Sequence, residues 1–452
     1  MNAALVRRVL LPLHELALGR ATFRYLRELE VSQWWPAQRL RELQREKLRR
    51  LLTHAWRTCP FHRRRLDQAG IDPAGATLES LAGLPTMTKA DIRRYGEQMI
   101  DPTAPGGLHR LTTGGSTGHP LSFVVDRRRQ AADQAARART RRWFGIEVGE
   151  REAYLWGSPV ELSRQDRLKT VRDALTNHRL FSAFCLTPAI MSRYLDQLRA
   201  FDPVHLFGYP SSLARLARHA ARTGVRLKNP SLRAVFASGE VFDPADRAII
   251  EEQAGTPVAD GYGSREGGFV AHQCPAGAYH QTMESVIVEL LDAEGRPAAA
   301  GQPGEITLTH LDAYGMPFIR YRTGDMARAS RGVCPCGRGL ELLEGIEGRR
   351  TDMLRTSGGG YAHALSVIYV LRDEPGVTEF KVIQRPNLDL EVRIVPGAGW
   401  NEGAGRRIAA GLRRRIGDSI DVRLQLVDRI PPEASGKHRH VISEADQAGS
   451  GW

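Results

Sequence analysis

Between Arg151 and Gln253, short apolar runs alternate with helical patterns, and no other feature constrains the fold as strongly. Ala153-Tyr-Leu-Trp156, Val204-His-Leu-Phe207 and Leu232-Arg-Ala-Val-Phe-Ala237 have the length of strands. Helical periodicity follows the last two, over Ser211–Ala220 and Pro244–Gln253. Strands alternating with helices build a parallel or mixed sheet, and such sheets bind ligands beyond the carboxyl ends of their strands. The turns at 157–159, 208–210 and 238–240 are therefore the places to look for chemistry.

The rest of the 452-residue chain is patterned differently. Residues 1–65 read as a helical segment, broken at Trp34-Trp35-Pro36 and closed at Cys59-Pro60-Phe61-His62. Thr88 with Asp91 predicts a helix start, and an Arg/Ala-rich helix is expected from about Asp126 to Arg142. After Asp260 the pattern is β-rich, with strands over Val286–Leu291 and Gly304–His310. A smaller unit begins near Gly348, with strands at Phe380–Ile383, Leu390–Val395 and Val422–Val427 and helices at His363–Asp373 and Gly403–Gly417. The expected class is α/β. A large N-terminal domain over 66–348 has mixed sheets flanked by helices and a β-rich subregion, a small mobile α+β C-terminal domain covers 349–446, and 447–452 is a loose tail.

The chain carries a net charge of +13, concentrated in Pro36–Arg65, where ten Lys/Arg face only Glu42 and Glu46. Leu40, Leu43, Leu48, Leu51, Leu52 and Ala55 run as a helical stripe between these cations, so the segment reads as a packed helix with a solvated basic face. No apolar run is long enough to span a bilayer. His14 and Glu15 cut Val9–Leu13 short of a secretory signal, and five cysteines are too few for a disulfide framework. A cytoplasmic chain is expected.

Leu111-Thr-Thr-Gly-Gly-Ser-Thr-Gly-His-Pro120 is a second constraint. Glycines clear the backbone of Cβ atoms while hydroxyls and amides line it, so the loop can wrap an anion. It is not a Walker A loop, since no Gly-x4-Gly-Lys-Ser/Thr is present. Four later segments follow it in order: Asp260-Gly-Tyr-Gly-Ser-Arg-Glu266, Tyr321-Arg-Thr-Gly-Asp325, Gly348-Arg-Arg-Thr-Asp352 and Ser435-Gly-Lys437-His-Arg439.

In this order, from about residue 50 to 441, the chain resembles the adenylate-forming superfamily of acyl- and aryl-CoA ligases, peptide-synthetase adenylation domains and luciferases. Gly208-Tyr-Pro-Ser-Ser212, Ala237-Ser-Gly-Glu240 and Cys334-Pro-Cys-Gly-Arg338 narrow the resemblance to its phenylacetate–CoA ligase-like branch and the capsular-polysaccharide-associated homologues. The resemblance implies that a carboxylate attacks the α-phosphate of ATP, Mg²⁺-pyrophosphate leaves, and the acyl group passes to the thiol of CoA or a phosphopantetheine carrier protein. Thr112, Thr113, Gly114, Gly115, Ser116, Thr117 and Gly118 would cradle the phosphates. Lys437 would neutralise charge developing on the α-phosphate, and Glu266 would organise magnesium. Tyr262 would lie against adenine within a nucleotide site that includes Ser238, Gly239, Glu240, Gly263 and Ser264. Asp325 and Arg349 would hold the ribose, and Asp352 matches the hinge between two active conformations. His119 departs from the lysine that many relatives carry in the anion loop.

Trp156, Ser158, Phe184, Tyr209 and Ser211 are the expected acyl pocket; the aromatics favour an aryl or other flat acid, and the serines leave room for a polar one such as an amino acid. Cys274, His280, Cys334 and Cys336 make a Cys₃His set that suits a structural Zn²⁺, and members of the branch resemble this chain in pairing a Cys…His turn with Cys-x-Cys-Gly-Arg. Buried free thiols with an ordinary histidine are the other reading. Two further functions stay open: an adenylate passed to an amine or sugar, and a basic nucleic-acid- or lipid-binding protein whose nucleotide site is vestigial.

Overall fold

The computed structural model describes residues 1–112, 121–156, 172–183, 186–292, 294–299, 301–330, 332–349, 353–357, 361–363, 367–368, 370–371, 374–397, 399–431 and 440–445. They form two compact units, 1–323 with 327–346, and 324–326 with 347–452. Among the described residues no helix is long and apolar enough to cross a membrane.

In the first unit, β1 (Leu108–Thr112) and β2 (Ser122–Asp126) pair antiparallel on either side of the anion loop. Next come β3 (Glu152–Trp156), β4 (His178–Ser182), β5 (His205–Gly208), β6 (Ala234–Ser238) and β7 (Val258–Ser264). They pair parallel, as the alternation led one to expect, and their order is 4-3-5-6-7. The sheet then turns antiparallel through β8 (Gly268–Gln273) and β9 (Tyr279–Gln281). It is extended by β10 (Val286–Leu291), β11 (Pro303–His310), β12 (Tyr321–Ala329) and β13 (Leu342–Arg349).

The helices show why the chain turns where it does. Those preceding β5, β6 and β7 (Pro188–Phe201, Pro210–Thr223 and Pro244–Ala254) each open with proline, whose missing N–H costs nothing at that position. The last two end on Gly224 and Gly255 in left-handed conformation. The N-terminal helices α1 (Thr22–Ser32), α2 (Ala37–Thr58) and α3 (Pro60–Gln68) pack within this unit. Cys59-Pro60 closes α2 as expected, but Pro60 also opens α3. Leu40, Leu48, Leu51, Leu52 and Ala55 of α2 are fully buried. Its basic residues are partly absorbed too: Lys47 Nζ donates to Asp312 Oδ2 at 2.6 Å and to the Glu284 carbonyl at 2.6 Å. This placement explains the cationic stripe as a packed helix.

In the second unit, β16 (Val377–Gln384) and β17 (Leu390–Pro396) pair antiparallel and are flanked in parallel by β19 (Val441–Ser443) and β18 (Val422–Leu426). The helix Glu402–Ile416 buries Ile408 and Leu412 in the core of this sheet. β14 (Met353–Arg355) pairs with β15 (Tyr361–His363). His363, expected to open a helix, instead pairs with Met353, because the strand partner overrides local periodicity.

Asp312 is fully buried and takes hydrogen bonds from Lys47 and from Arg128 Nε at 3.1 Å. Burial alone would raise its pKa, but Lys47 and Arg128 outweigh burial and hold it below the ordinary carboxylate value. Its stabilising contribution is therefore complete above the unfolded value of about 4 and lost as pH falls through the lower folded value. Asp312→Asn is expected to cost about 3 kcal/mol at neutral pH in the urea transition of the large unit, with the gap from wild type narrowing in acid.

Candidate active site

Several expected site residues meet at the carboxyl edge of the neighbouring parallel strands. Trp156 ends β3, Tyr209 follows β5, Ser238 ends β6, and Tyr262, Gly263 and Ser264 finish β7. Trp156 stacks on Tyr209 with ring centroids 3.8 Å apart and planes inclined by 21°. Gly239 lies beneath them at φ +88°, and a Cβ there would come within 3.3 Å of Trp156 and 3.4 Å of Tyr209. This turn has both the backbone and the room that only glycine fits. Glu240 Oε2 accepts from the Ser211 amide at 3.0 Å, tying the turn after β6 to the helix after β5. Ser238 Oγ donates to the Gly261 carbonyl at 2.7 Å. Tyr262 is buried against the core, with its hydroxyl 3.4 Å from Thr323 Oγ1.

Glu266 is buried, and the Tyr321 hydroxyl donates to its Oε1 at 3.4 Å. The neighbouring Arg265 donates to the Thr112 carbonyl at 2.5 Å, where the anion loop begins. Arg129 Nη2, from helix α4 (Arg127–Arg142), donates to the Arg265 carbonyl at 2.7 Å. A buried cation thus fixes the peptide joining the expected acidic residue to the root of the loop. Arg129 also lies 3.7 Å from Asp133, whose Oδ1 meets His310 Nε2 at 3.3 Å. Burial would raise the Asp133 pKa, but His310, Arg129 and the Phe269 amide outweigh it and bring it to about 2. Sequence reading missed Arg129, Asp133 and His310. The one local signal was the i, i+4 spacing of Arg129 and Asp133 on an otherwise alanine-rich face.

The Cys/His set comes together elsewhere in the same unit. The ligand atoms of Cys274, His280, Cys334 and Cys336 all lie within 4.8 Å of one another. Cys274 Sγ is 3.5 Å from Cys334 Sγ, and Cys336 Sγ is 3.3 Å from His280 Nε2. Tetrahedral zinc with bonds of about 2.0–2.3 Å places its ligands about 3.3–3.8 Å apart; the two pairs just given have that spacing, and all four donors lie within 4.8 Å, so the set suits a zinc after a small contraction. Burial first, then Arg338, lowers the His280 pKa to about 4, which keeps the imidazole neutral as ligation requires. His272 lies outside the set, packed against Phe236 and Phe269.

Other expected site residues are placed less completely. Asp325 lies on β12, and Arg349 ends β13. Thr113, Gly114, Gly115, Ser116, Thr117, Gly118, His119, Ser158, Phe184, Asp352, Lys437, the Arg349 side chain, the Gly358-Gly-Gly360 turn and the 447–452 tail lie outside the described residues.

Residues 111–310 match the family model of the AMP-binding enzyme, and residues 354–444 match that of the CapK C-terminal domain. A phenylacetate-coenzyme A ligase of Thermus thermophilus is 28% identical, covering 92% of this chain and 99% of that protein. Protein CapK of Staphylococcus aureus is 22% identical, covering 89% of each. The solved structure of 2-hydroxyisobutyryl-CoA ligase in the postadenylation state superposes with a TM-score of 0.71 at 22% identity, covering 92% of each chain. Over 111–310 the chain carries the AMP-binding enzyme pattern, and along most of its length it is similar to phenylacetate–CoA ligases. The chain is an AMP-forming ligase.

Asp260, at the start of the Gly-Tyr-Gly stretch on β7, is buried and accepts from the Tyr279 hydroxyl. Burial dominates over Tyr279, Arg247 and the Gly261 amide, raising its pKa to about 7. A raised folded value penalises folding once the unfolded chain ionises, so stability declines from about pH 4 and levels off above about pH 7. Asp260→Asn is expected to flatten that slope, worth at most a few kcal/mol at about 1.4 kcal/mol per pKa unit, as read from unfolding across that range.

Proposed function

We propose that the chain is an ATP-dependent ligase that converts an aryl or other flat carboxylic acid to an acyl-AMP and passes the acyl group to the thiol of CoA or a phosphopantetheine carrier. The observation that carries this reading is the meeting of Trp156, Tyr209 and Gly239 at the carboxyl edge of the sheet, in the same unit as the Arg265–Thr112 and Glu266 contacts. The stacked aromatics offer a flat apolar face to the acyl group, and phenylacetate–CoA ligases among the relatives agree with that shape. In the first step a carboxylate oxygen bonds to the α-phosphorus as pyrophosphate departs. In the second, a thiolate attacks the acyl carbonyl and AMP departs with the electron pair of the broken C–O bond.

Within this scheme, Thr112 to Gly118 donate to the phosphates, and Lys437 meets the negative charge that grows during the first step. Glu266 is the residue that would hold Mg²⁺, which screens phosphate charge. Asp325 and Arg349 take the ribose, Tyr262 takes the adenine face, and rotation at Asp352 separates the two steps. Cys274, His280, Cys334 and Cys336 would hold Zn²⁺ in a structural role. The ion would cross-link the turn after β8 to the loop before β13, which packs on Trp35 and Leu40 of the N-terminal helices.

Carboxylate-dependent exchange of labelled pyrophosphate into ATP, run across aryl, amino and short aliphatic acids, is expected to respond best to an aryl acid. Adding CoA is expected to speed AMP release. Lys437→Ala should lower exchange at least about a hundredfold with ATP binding nearly unchanged. If no acid supports exchange, the proposed reaction is wrong.

Metal analysis of the purified chain is expected to find about one zinc per molecule, with Cys334→Ser losing it and unfolding at lower temperature. Metal-free wild type with unchanged thermal stability would assign these residues to buried thiols instead.

A further inference from the structure

The helix that opens the chain runs unbroken over Ala3–Leu5, Val6–Leu10 and Leu11–Ala17, the middle segment being a π turn. Pro12 has no N–H to give the helical ladder, and the wider turn directly precedes it. The inner face of this helix is anchored. Val6 is fully buried, and Glu15 is buried in an ion pair with Arg20 while accepting from the Thr22 hydroxyl. Asn177 Nδ2 also donates to the Met1 carbonyl at 3.1 Å.

The outer face is apolar and open. Met1, Leu5, Val9, Leu13 and Leu16 follow one another at helical spacing and are 42% to 75% exposed. Leu175, two residues before the Asn177 that bonds the Met1 carbonyl, is another exposed apolar side chain. Scattered exposed leucines need no explanation, but a continuous stripe of them does.

Charge indicates what covers this stripe. Of the five arginines in residues 1–27, Arg20 pairs with Glu15, Arg7 with Glu147 and Arg24 with Glu28, which leaves Arg8 and Arg27 without an acidic partner among the described residues. Arg8 is exposed on the same helix, and the whole chain carries +13. An exposed apolar stripe on a helix that also carries the exposed, unmatched Arg8 fits a helix lying in the plane of an anionic bilayer surface. A second copy of the chain is a poorer occupant. Fifteen helical residues span about 22 Å, and a face about 10 Å wide offers about 220 Å², well under the roughly 800 Å² per partner of a stable interface.

We propose that this helix docks the protein on anionic lipid, with Leu5, Val9, Leu13 and Leu16 at the boundary between headgroups and acyl chains. The bound enzyme would then act on acids or acceptors presented at a membrane surface.

The full chain is expected to cosediment with phosphatidylcholine vesicles containing about a third phosphatidylglycerol, and much less with phosphatidylcholine alone. Binding should weaken as salt rises to about 0.5 M. The double variant Leu13→Glu, Leu16→Glu should bind anionic vesicles at least about tenfold less well, with its thermal unfolding and pyrophosphate exchange unchanged. Failure of the wild type to pellet, or equal pelleting by the double variant, would overturn the proposal. So would a concentration-dependent dimer abolished by the same substitutions, which would give the stripe to a second copy. Vesicle binding is read without turnover, so its outcome is independent of the adenylation reading.

Discussion

The guanidinium of Arg139 is fully buried, and its Nη1 donates to Glu284 Oε1 at 2.7 Å, while the Ser32 hydroxyl donates to the same oxygen at 2.6 Å. A buried charge without its partner would cost several kcal/mol, so these three elements must dock together or not at all. The same holds along α4. Arg129 needs Asp133 and the Arg265 carbonyl, and Arg141 donates to both oxygens of Glu152 on β3, at 2.8 and 3.0 Å. Between the arginines, Ala131, Ala132, Ala135 and Ala136 are small enough to let Tyr25, Leu26 and Leu29 of α1 approach closely. Alanines bring the helices together, and the ion pairs specify which ones meet.

That spine also relates the two chemical regions of the large unit. Its first turn reaches the root of the anion loop through Arg129 and Arg265. Beyond its last turn, Trp143 meets the His280 ring edge-on at 5.6 Å, and Arg338 lies 4.5 Å over the Trp143 ring. The Cys/His cluster at one end and the root of the 111–120 loop at the other therefore share one support. Structural zinc at the far end would stiffen the same element that sets the position of Arg265, without touching substrate.

What the sequence revealed and what it hid follow from the range of the interactions. Strands β3, β5 and β6, the helices after β5 and β6 and the capping box at Thr88 are local, set by period and by residues a few positions apart, and they could be read directly. The Cys…His and Cys-x-Cys pairs were legible as two turns, and their meeting was inferable because a tetrahedral ion needs both. Arg139–Glu284, Asp133–His310 and Lys47–Asp312 were not legible, because they join residues from 145 to 265 positions apart that no local pattern links. An arginine-rich helix reads as exposed until the tertiary partners that neutralise it are known. For the same reason, the leucines of α2 could be read as a packed face, but not the Ile287, Leu311 and Ile319 they pack with.

The site divides into parts that tolerate change and parts that do not. A Cβ at Gly261 would come within 2.8 Å of His272, and one at Gly263 within 2.5 Å of the Gly268 carbonyl. The backbone of β7 is thus pressed against β8, and its shape cannot follow the identity of a ligand. The ends of β3 and β5 are different, because what they present is the stacked side chains of Trp156 and Tyr209. Replacing those rings would reshape the acyl side while leaving the Gly261–Ser264 backbone intact. If the proposed assignment of these segments holds, differences in acid choice should therefore reside at the ends of the parallel strands, while the Gly261–Ser264 backbone stays fixed by its contact with β8.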